Sequence, residues 1–221
     1  MPFAAMVFGI LAPAAHAQYP DLNPKLKSGQ AAIGNALVLP PEIEFTRLGM
    51  KGAEGKISEA DKVAEVLRSV LSQELAARGV KLIPGPGEPK NDDEKYALAD
   101  LQARFDNVDV QLRKRPGGVE RNRYSLGDGV SAFSPAKGAD ALVFVRGKAT
   151  ESTAARAAIF TFMGLPRFSA NVTFVDAKTG EVLAWAPLHR WGYLADDLQD
   201  HLAQTIRNSL RDIPLPVKAP K

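Results

Sequence analysis

Apolar residues along this chain occur either in short unbroken runs or in stripes with helical spacing. The first run covers residues 36–39, "ALVL", and Pro40 and Pro41 follow it directly. An unbroken run of this length is typical of a strand that is covered on both faces. Because proline has no N–H group to give to a sheet ladder, we predict that the strand ends there.

The clearest helical stripe follows a Gly-rich loop and covers residues 57–79. Ser58 is expected to cap the first turn, and Gly79 is expected to adopt the left-handed conformation just beyond the last turn. The residues "VKLIP" (80–84) come next, which predicts a β-α-β unit with two parallel strands. The apolar positions recur at i, i+3, i+4 and i+7: Val63, Val66, Leu67, Val70, Leu71 and Leu75.

The second half of the chain predicts two more helices and three more strands. Asn91 or Asp92 is expected to cap a helix, and residues 116–135 are expected to form an excursion over the surface. Strands are predicted at residues 141–145, which are apolar throughout, and within 166–176 and 181–191. The apolar stripes of the two helices are Tyr96, Leu98, Leu101, Phe105, Val108 and Leu112, then Leu194, Leu198, Leu202, Ile206 and Leu210.

These elements predict an α+β fold that is α/β-like. A single mixed sheet in the order β-α-β-α-β-β-β-α carries helices packed on it. No internal repeat is visible, so residues 33–213 are expected to form one domain. Residues 18–32 are polar and contain prolines, which predicts a flexible lead-in, and residues 214–221 are expected to form a tail.

The amino terminus resembles a secretory signal peptide. An apolar run at residues 3–11 is followed by "APAAHAQ", in which Ala15 and Ala17 form an A-x-A cleavage pattern. No Lys or Arg precedes the run, so the start codon could lie upstream. The run is shorter than the roughly 20 residues that cross a bilayer. We therefore predict that residues 1–17 are removed and that the protein is exported to the periplasm.

The amino-acid composition excludes several classes of function. The net charge is +3, without the concentrated basic face that nucleic-acid binding requires. The sequence has no cysteine, which excludes disulfides, thiolate metal sites, a cysteine nucleophile and lipid attachment at an N-terminal cysteine. No cofactor motif is found, so no cofactor and no nucleic-acid partner are expected.

The hairpin sequence "NVTFVDAKTGEVLAW" (171–185) also resembles the repeated unit of β-propeller dehydrogenases. It occurs once here, whereas a propeller needs roughly four or more copies at a fixed period. We therefore assign structural roles to its turn residues. Asp176 is expected to accept hydrogen bonds from the backbone of the turn, and Gly180 is expected to adopt a positive φ.

In this order, four motifs resemble envelope proteins related to the amino-terminal domain of TolB, a group that includes the curli-secretion lipoprotein family and small lipoproteins of similar fold. The motifs are "ALVLPP" (36–41), "LSQELAARGVKLIP" (71–84), "GADALVFVRG" (138–147) and "VTFVDAKTGEVLAW" (172–185). The resemblance covers residues 33–211. It implies a non-enzymatic protein that works in periplasmic or outer-membrane assemblies, with an envelope protein or further copies of itself as partner.

The alternative hypothesis is a periplasmic hydrolase, and it depends on the histidines. After removal of His16 with the signal peptide, His189 and His201 remain, and either could act with a nearby carboxylate. Their spacing does not match a zinc helix, and no nucleophile elbow or phosphate loop is present. We therefore predict no catalytic and no metal site.

The segment at residues 154–168, "AARAAIFTFMGLPRF", is more apolar than a connection between two strands needs to be. One interpretation is a surface that contacts a partner or a membrane, since exposed apolar patches edged by charge usually mark contacts. The other is a short helix or hairpin folded back on the core. The candidate contact residues are Ile159, Phe160, Phe162, Met163 and Leu165, with Arg156 and Arg167 flanking them.

Overall fold

The structure is a computed structural model and describes residues 19–85, 91–159, 167–191 and 198–216. Short 3₁₀ helices cover Pro116–Arg121, Asp128–Ala132 and Ser134–Ala136. The described strands are β1 (Asp21–Leu22), β2 (Asn35–Val38), β3 (Glu42–Gly49), β4 (Gly52–Gly55), β5 (Lys81–Ile83), β6 (Ala141–Ser152), β7 (Arg167–Asp176) and β8 (Val182–Trp191). The described α-helices are α1 (Pro24–Lys27), α2 (Ile57–Ala77), α3 (Asp92–Lys114), α4 (Ala154–Ile159) and α5 (Leu198–Ser209).

The described strands form one mixed sheet in the order β1-β8-β7-β6-β2-β5. β2 is parallel to both β5 and β6, as the β-α-β unit predicts, while β7 and β8 are antiparallel to their neighbours. β3 pairs in parallel with the second half of β6 and forms a hairpin with β4. The predicted fold class, a single mixed sheet with helices packed on it, is confirmed.

The sheet separates two hydrophobic clusters because β6 is apolar on both faces. Val143 and Val145 face a cluster that includes the buried stripe of α2 and the apolar side of α5. Leu142 and Phe144 face a second cluster under α3, in which the rings of Phe105 and Phe144 stack with centroids 4.1 Å apart. In α2, the buried members of the predicted stripe are Val63, Leu67, Val70, Leu71 and Leu75.

The excursion predicted at residues 116–135 does not merely cross the surface. Its side chains Val119, Val130 and Phe133 are buried and form part of the second cluster. The 3₁₀ helices let a Gly-rich stretch place single apolar residues inward without the periodicity of a strand or an α-helix. This stretch therefore covers the face of the sheet that α3 leaves open.

Charge pairs join β3 to β6. Glu42 is in register with Arg146, and Glu44 is in register with Lys148. Both pairs form ion pairs, with 2.8 Å between Lys148 Nζ and Glu44 Oε2. Arg47 likewise contacts its register partner Glu151. Because opposite charges directly across a strand pair are favourable, these contacts fix the position of β3.

The predicted N-cap is confirmed for α3 and wrong for α2, and one residue of the predicted α3 stripe is exposed. Asn91 caps α3, and its Oδ1 accepts a hydrogen bond from the Glu94 N–H at 2.8 Å. Ser58 is not a cap, because α2 begins at Ile57 and the hairpin residue Lys56, whose N–H donates to Phe45 O, occupies the N-cap position. Tyr96 is 70% exposed, since the first turns of α3 extend past the core.

The lead-in predicted to be flexible is part of the fold from Asp21 onward. β1 pairs antiparallel with β8, and Leu26 of α1 is buried in the first cluster. Asn23 is fully buried, accepts a hydrogen bond from Lys25 N–H at 2.9 Å, and donates to Val182 O at 3.0 Å. The polar composition of this stretch gave no sign that Leu22 and Leu26 are buried in the core or that Asn23 caps α1. The other domain limits remain predictions.

Asn23→Ala is expected to destabilise the protein by about 2–4 kcal/mol. The substitution removes a helix cap and leaves the buried carbonyl of Val182 without its donor. Asn107→Ala is the matched control, since its side chain makes only an exposed bond to Ala103 O, and it should change stability by less than about 0.5 kcal/mol. Urea unfolding measures both. Equal effects of the two substitutions would contradict the tight docking of the lead-in.

Candidate functional site

The predicted contact segment leaves and re-enters the sheet at one end. Thr153 N–H donates to Leu48 O at 2.9 Å, and the Arg156 guanidinium donates to Gly49 O at 3.2 Å. Arg167 is exposed at the first position of β7. Ile159 is the last residue of α4. Phe160, Phe162, Met163 and Leu165 lie outside the described residues, so their predicted role stays a prediction.

The turn between β3 and β4 lies next to the start of this segment, through the bond from Arg156 to Gly49. Met50 in that turn is 58% exposed, and Lys51 beside it is exposed. We call residues 48–53 together with 150–159 and 167 the sheet-end surface. It combines an exposed methionine with cationic side chains, a composition found at contact surfaces.

The second feature is the outer edge of β8. Only Trp185 and Ala184 of this strand pair with β1, although β8 runs for ten residues. Beyond them, Pro187 has no N–H to donate, and its carbonyl accepts a hydrogen bond from Ser209 Oγ at 2.8 Å. Within the described residues, no strand pairs with the edge of β8 past Trp185. Pro187 therefore interrupts the edge, and a strand from another chain would pair with β8 only beyond this residue.

The hairpin turn is built as its sequence suggests. Asp176 Oδ1 accepts hydrogen bonds from the N–H groups of Lys178 and Thr179, both at 2.8 Å. Gly180 has φ 71°, and its carbonyl accepts a bond from Leu126 N–H at 2.8 Å. The turn therefore packs against the loop before the second 3₁₀ helix. These contacts are structural.

The two histidines of the hydrolase hypothesis lie on opposite sides of the sheet. His189 alternates with Leu188 of the first cluster and so faces away from it, whereas α5, which carries His201, packs on that cluster. Ser169 Oγ and His189 Nδ1 are 2.9 Å apart on neighbouring strands, and His189 is exposed. Partial burial lowers the pKa of His189 below its usual value. The histidines therefore do not form a common site.

A cavity of about 680 Å³ opens between α2, α3 and the strands β3 and β6. Its lining residues are scattered along the chain, so no sequence motif predicted it. At its base, the Arg146 side chain contacts Glu42 and Asp106, and its guanidinium lies 5.6 Å from the centroid of the Phe105 ring. Burial lowers the pKa of Arg146 to about 10, so the group stays charged at neutral pH. In the sequence, the signal for this site was Arg146, a charged residue directly after the apolar run "ALVFV".

No group of three or more His, Asp or Glu side chains within the described ranges is arranged to hold a metal ion. Of the helices in the described part of the chain, none is long and apolar enough to cross a bilayer.

Gly180→Ala is expected to destabilise the protein by at least about 2 kcal/mol. An alanine at this position would have to adopt the positive φ of the glycine, which is strained for a residue with a side chain. Its Cβ would also lie 2.5 Å from Gly127 O, which is too close for a carbon–oxygen contact. Gly117→Ala is the control, because a Cβ there meets no atom within 4 Å. Thermal unfolding of both variants measures the difference. A neutral Gly180→Ala would show that the turn tolerates another conformation.

Comparison with known proteins gives weak structural likenesses. No family model matches the sequence, and no curated protein sequence matches it. The PelC dodecamer from Paraburkholderia phytofirmans is 12% identical, covers 89% of this chain and 95% of the PelC chain, and has a TM-score of 0.43. Lipoprotein GNA1162 from Neisseria meningitidis is 13% identical, with coverages of 81% and 97% and a TM-score of 0.37. Likenesses of this size assign no function, and the resemblance to the TolB-related group stays a prediction.

Proposed function

We propose that this protein is a non-catalytic accessory or assembly protein of the bacterial cell envelope. It is exported, loses its signal peptide near Ala17, and works in the periplasm, associated with the outer membrane. It acts by contacts with an envelope protein or with further copies of itself, or at a membrane surface. The proposal includes no cofactor and no nucleic acid.

The sheet-end surface is the observation that carries this proposal. Residues 154–168 are anchored at one end through Thr153 and Arg156 and at the other by Arg167 in β7. Exposed Met50 lies in the hairpin turn that Arg156 contacts. An exposed apolar side chain in a surface that also carries cations favours recognition of a partner that is itself partly apolar and acidic.

The edge of β8 gives a second route to the same function. A strand donated by a partner would pair with β8 beyond Pro187, because Pro187 has no N–H and its carbonyl already accepts a hydrogen bond from Ser209 Oγ. Main-chain pairing needs little sequence specificity, so the apolar segment would supply the selectivity. Both features suit binding, and neither requires a reaction.

Deletion of residues 157–164 is expected to abolish complex formation while lowering stability only slightly. The measurements are the native mass of the protein purified from the periplasm, and flotation with vesicles of phosphatidylethanolamine and phosphatidylglycerol. Phe160→Ser combined with Phe162→Ser should give the same loss without shortening the chain. Tyr96→Ser is the matched control, because Tyr96 is a 70% exposed aromatic residue on α3.

The outcomes of this experiment distinguish a protein contact, a membrane contact and a role in the core. A loss of native mass identifies a protein contact, and a loss of flotation alone identifies a membrane contact. If the shortened protein is destabilised but retains its complex and its vesicle binding, the segment belongs to the core and the proposal is wrong.

The hydrolase remains the second candidate because Ser169 Oγ lies within hydrogen-bond distance of His189. A serine bonded to a histidine is the first requirement for nucleophilic catalysis. The pair lies on an exposed face of β7 and β8, where water is not excluded. Such exposure favours a surface hydrogen bond over a catalytic one.

Ser169→Ala and His189→Gln are expected to leave the hydrolysis of p-nitrophenyl acetate unchanged. A general base or nucleophile would contribute at least about 100-fold to the rate. His201→Gln serves as the control, since His201 lies across the sheet on α5. A 100-fold loss in the first two variants, with the control unaffected, would establish the hydrolase.

A further inference from the structure

Another cavity, of about 250 Å³, lies at the carboxyl ends of the parallel strands β2 and β5. Val38 is the last residue of β2, and Pro84 and Gly85 directly follow β5. The helix that precedes β5, α2, packs on the first cluster, whereas the helix that follows β5, α3, packs on the second. The chain therefore changes from one face of the sheet to the other at this point. In open α/β sheets, ligands bind in the crevice that such a change of face creates.

Arg68 of α2 is the charged residue of this lining. Its side chain is half-buried, and it has no hydrogen-bond or ion-pair partner among the residues that the structure describes. The lining contains no carboxylate that could take this role. A guanidinium that is partly removed from water gains from an anion that restores its hydrogen bonds. The cavity therefore favours an anionic ligand.

Gly85 makes room for the guanidinium of Arg68. A Cβ at this position would overlap Arg68 Nη2, and it would lie 3.4 Å from both Arg68 Cζ and Val38 O. The guanidinium therefore lies directly against the backbone of Gly85, beside the last carbonyl of β2. A planar guanidinium can donate two parallel hydrogen bonds to the two oxygens of a carboxylate, which the ammonium group of a lysine cannot do.

Ser72 adds a second donor on the same side of the cavity. It follows Arg68 by four residues on α2 and lines the same space. Residues four apart lie on one face of a helix, with about 5–6 Å between their Cβ atoms. Within the described part of the chain, the Ser72 hydroxyl has no hydrogen-bond partner. Neither side chain has a buried unpaired atom, so the unpaired polar atoms of both remain accessible.

The other side chains of the lining are aliphatic: Val38, Leu82, Ile83 and Pro84. They can cover a short hydrocarbon chain but offer no hydrogen bond to a sugar or a base. A phosphate would need several backbone or cationic donors, and this lining has one guanidinium and one hydroxyl. The volume is also below the roughly 300 Å³ at which sites for drug-sized ligands begin, so the ligand is small.

We propose that this cavity binds a small aliphatic carboxylate. The guanidinium of Arg68 donates to both carboxylate oxygens, the Ser72 hydroxyl donates to one of them, and the hydrocarbon chain lies on Leu82 and Pro84. A free carboxylic acid and the C-terminal carboxylate of another protein share this chemistry. The cavity has no residue in common with the sheet-end surface, so deletion of residues 157–164 is expected to leave this binding intact.

The test is titration of the mature chain with isocaproate, followed by the NMR signal of the Gly85 backbone amide. Isocaproamide is the matched neutral probe of the same shape. We expect isocaproate to shift the Gly85 signal to saturation and isocaproamide to bind at least roughly tenfold more weakly, because the charge-assisted hydrogen bonds are lost.

Three variants locate the site. Arg68→Gln should weaken isocaproate binding at least roughly tenfold, and Ser72→Ala about threefold, because each removes a donor. Gly85→Ala should also weaken binding although it removes no charge, since the new Cβ displaces the guanidinium and the φ of Gly85 is not positive. Lys62→Gln is the control, because Lys62 is an exposed cation on α2 outside the cavity, and it should change binding by less than about twofold.

The proposal is overturned if isocaproate does not bind, if isocaproamide binds equally well, or if Arg68→Gln binds like the wild type. If circular dichroism shows that Arg68→Gln does not fold, Gly85→Ala decides, and undiminished binding by this variant overturns the proposal. Titration with N-acetyl-glycyl-leucine separates the two sources of the carboxylate. Tighter binding of this peptide than of isocaproate indicates a protein C-terminus, and equal or weaker binding indicates a free acid.

Discussion

The structure depends on one strand, β6, which changes its pairing partner halfway along its length. Its first residues are in parallel register with β2, and from Arg146 onward the same edge pairs with β3. The change occurs where Pro40 and Pro41 interrupt the neighbouring chain, because prolines donate no backbone hydrogen bond. Before the change β6 is apolar on both faces, and after it the side chains toward α3 are charged. The hydrophobic core under α3 therefore ends at Arg146.

Beyond that point, charge replaces hydrophobicity in setting the register. Phe45 is the only buried side chain of β3, so apolar alternation specifies the register of this strand weakly. The pairs Glu42–Arg146 and Glu44–Lys148 place opposite charges in register, and a slip of one residue would put Glu42 beside Gly147. Ion pairs add little net stability when they are partly buried. Their contribution here is to select one register.

Continuous apolar runs and long stripes identified the central strand, the α2 and α3 helices and the parallel β-α-β unit. Asn91 was found as a cap because α3 starts in a polar stretch with nothing else to occupy that position. The β3–β4 hairpin was missed, since "GAEG" (52–55) is exposed throughout and carries no alternation. β1 was missed because two residues cannot show a period. The prediction of Ser58 as the N-cap was wrong because the hairpin leads into α2 two residues earlier, at Lys56.

The apolar contact segment can be recognised in the sequence, whereas the cavity beside Arg146 cannot. The apolar segment at residues 159–165 is contiguous, so its composition alone distinguishes it from a connection. The cavity draws Glu42 from β3, Asp61 from α2 and Asp109 from α3, which are three separate elements of the chain. Because the chain as a whole is basic, its composition conceals an acidic lining. The fold, rather than the composition, therefore concentrates negative charge where β6 leaves its core.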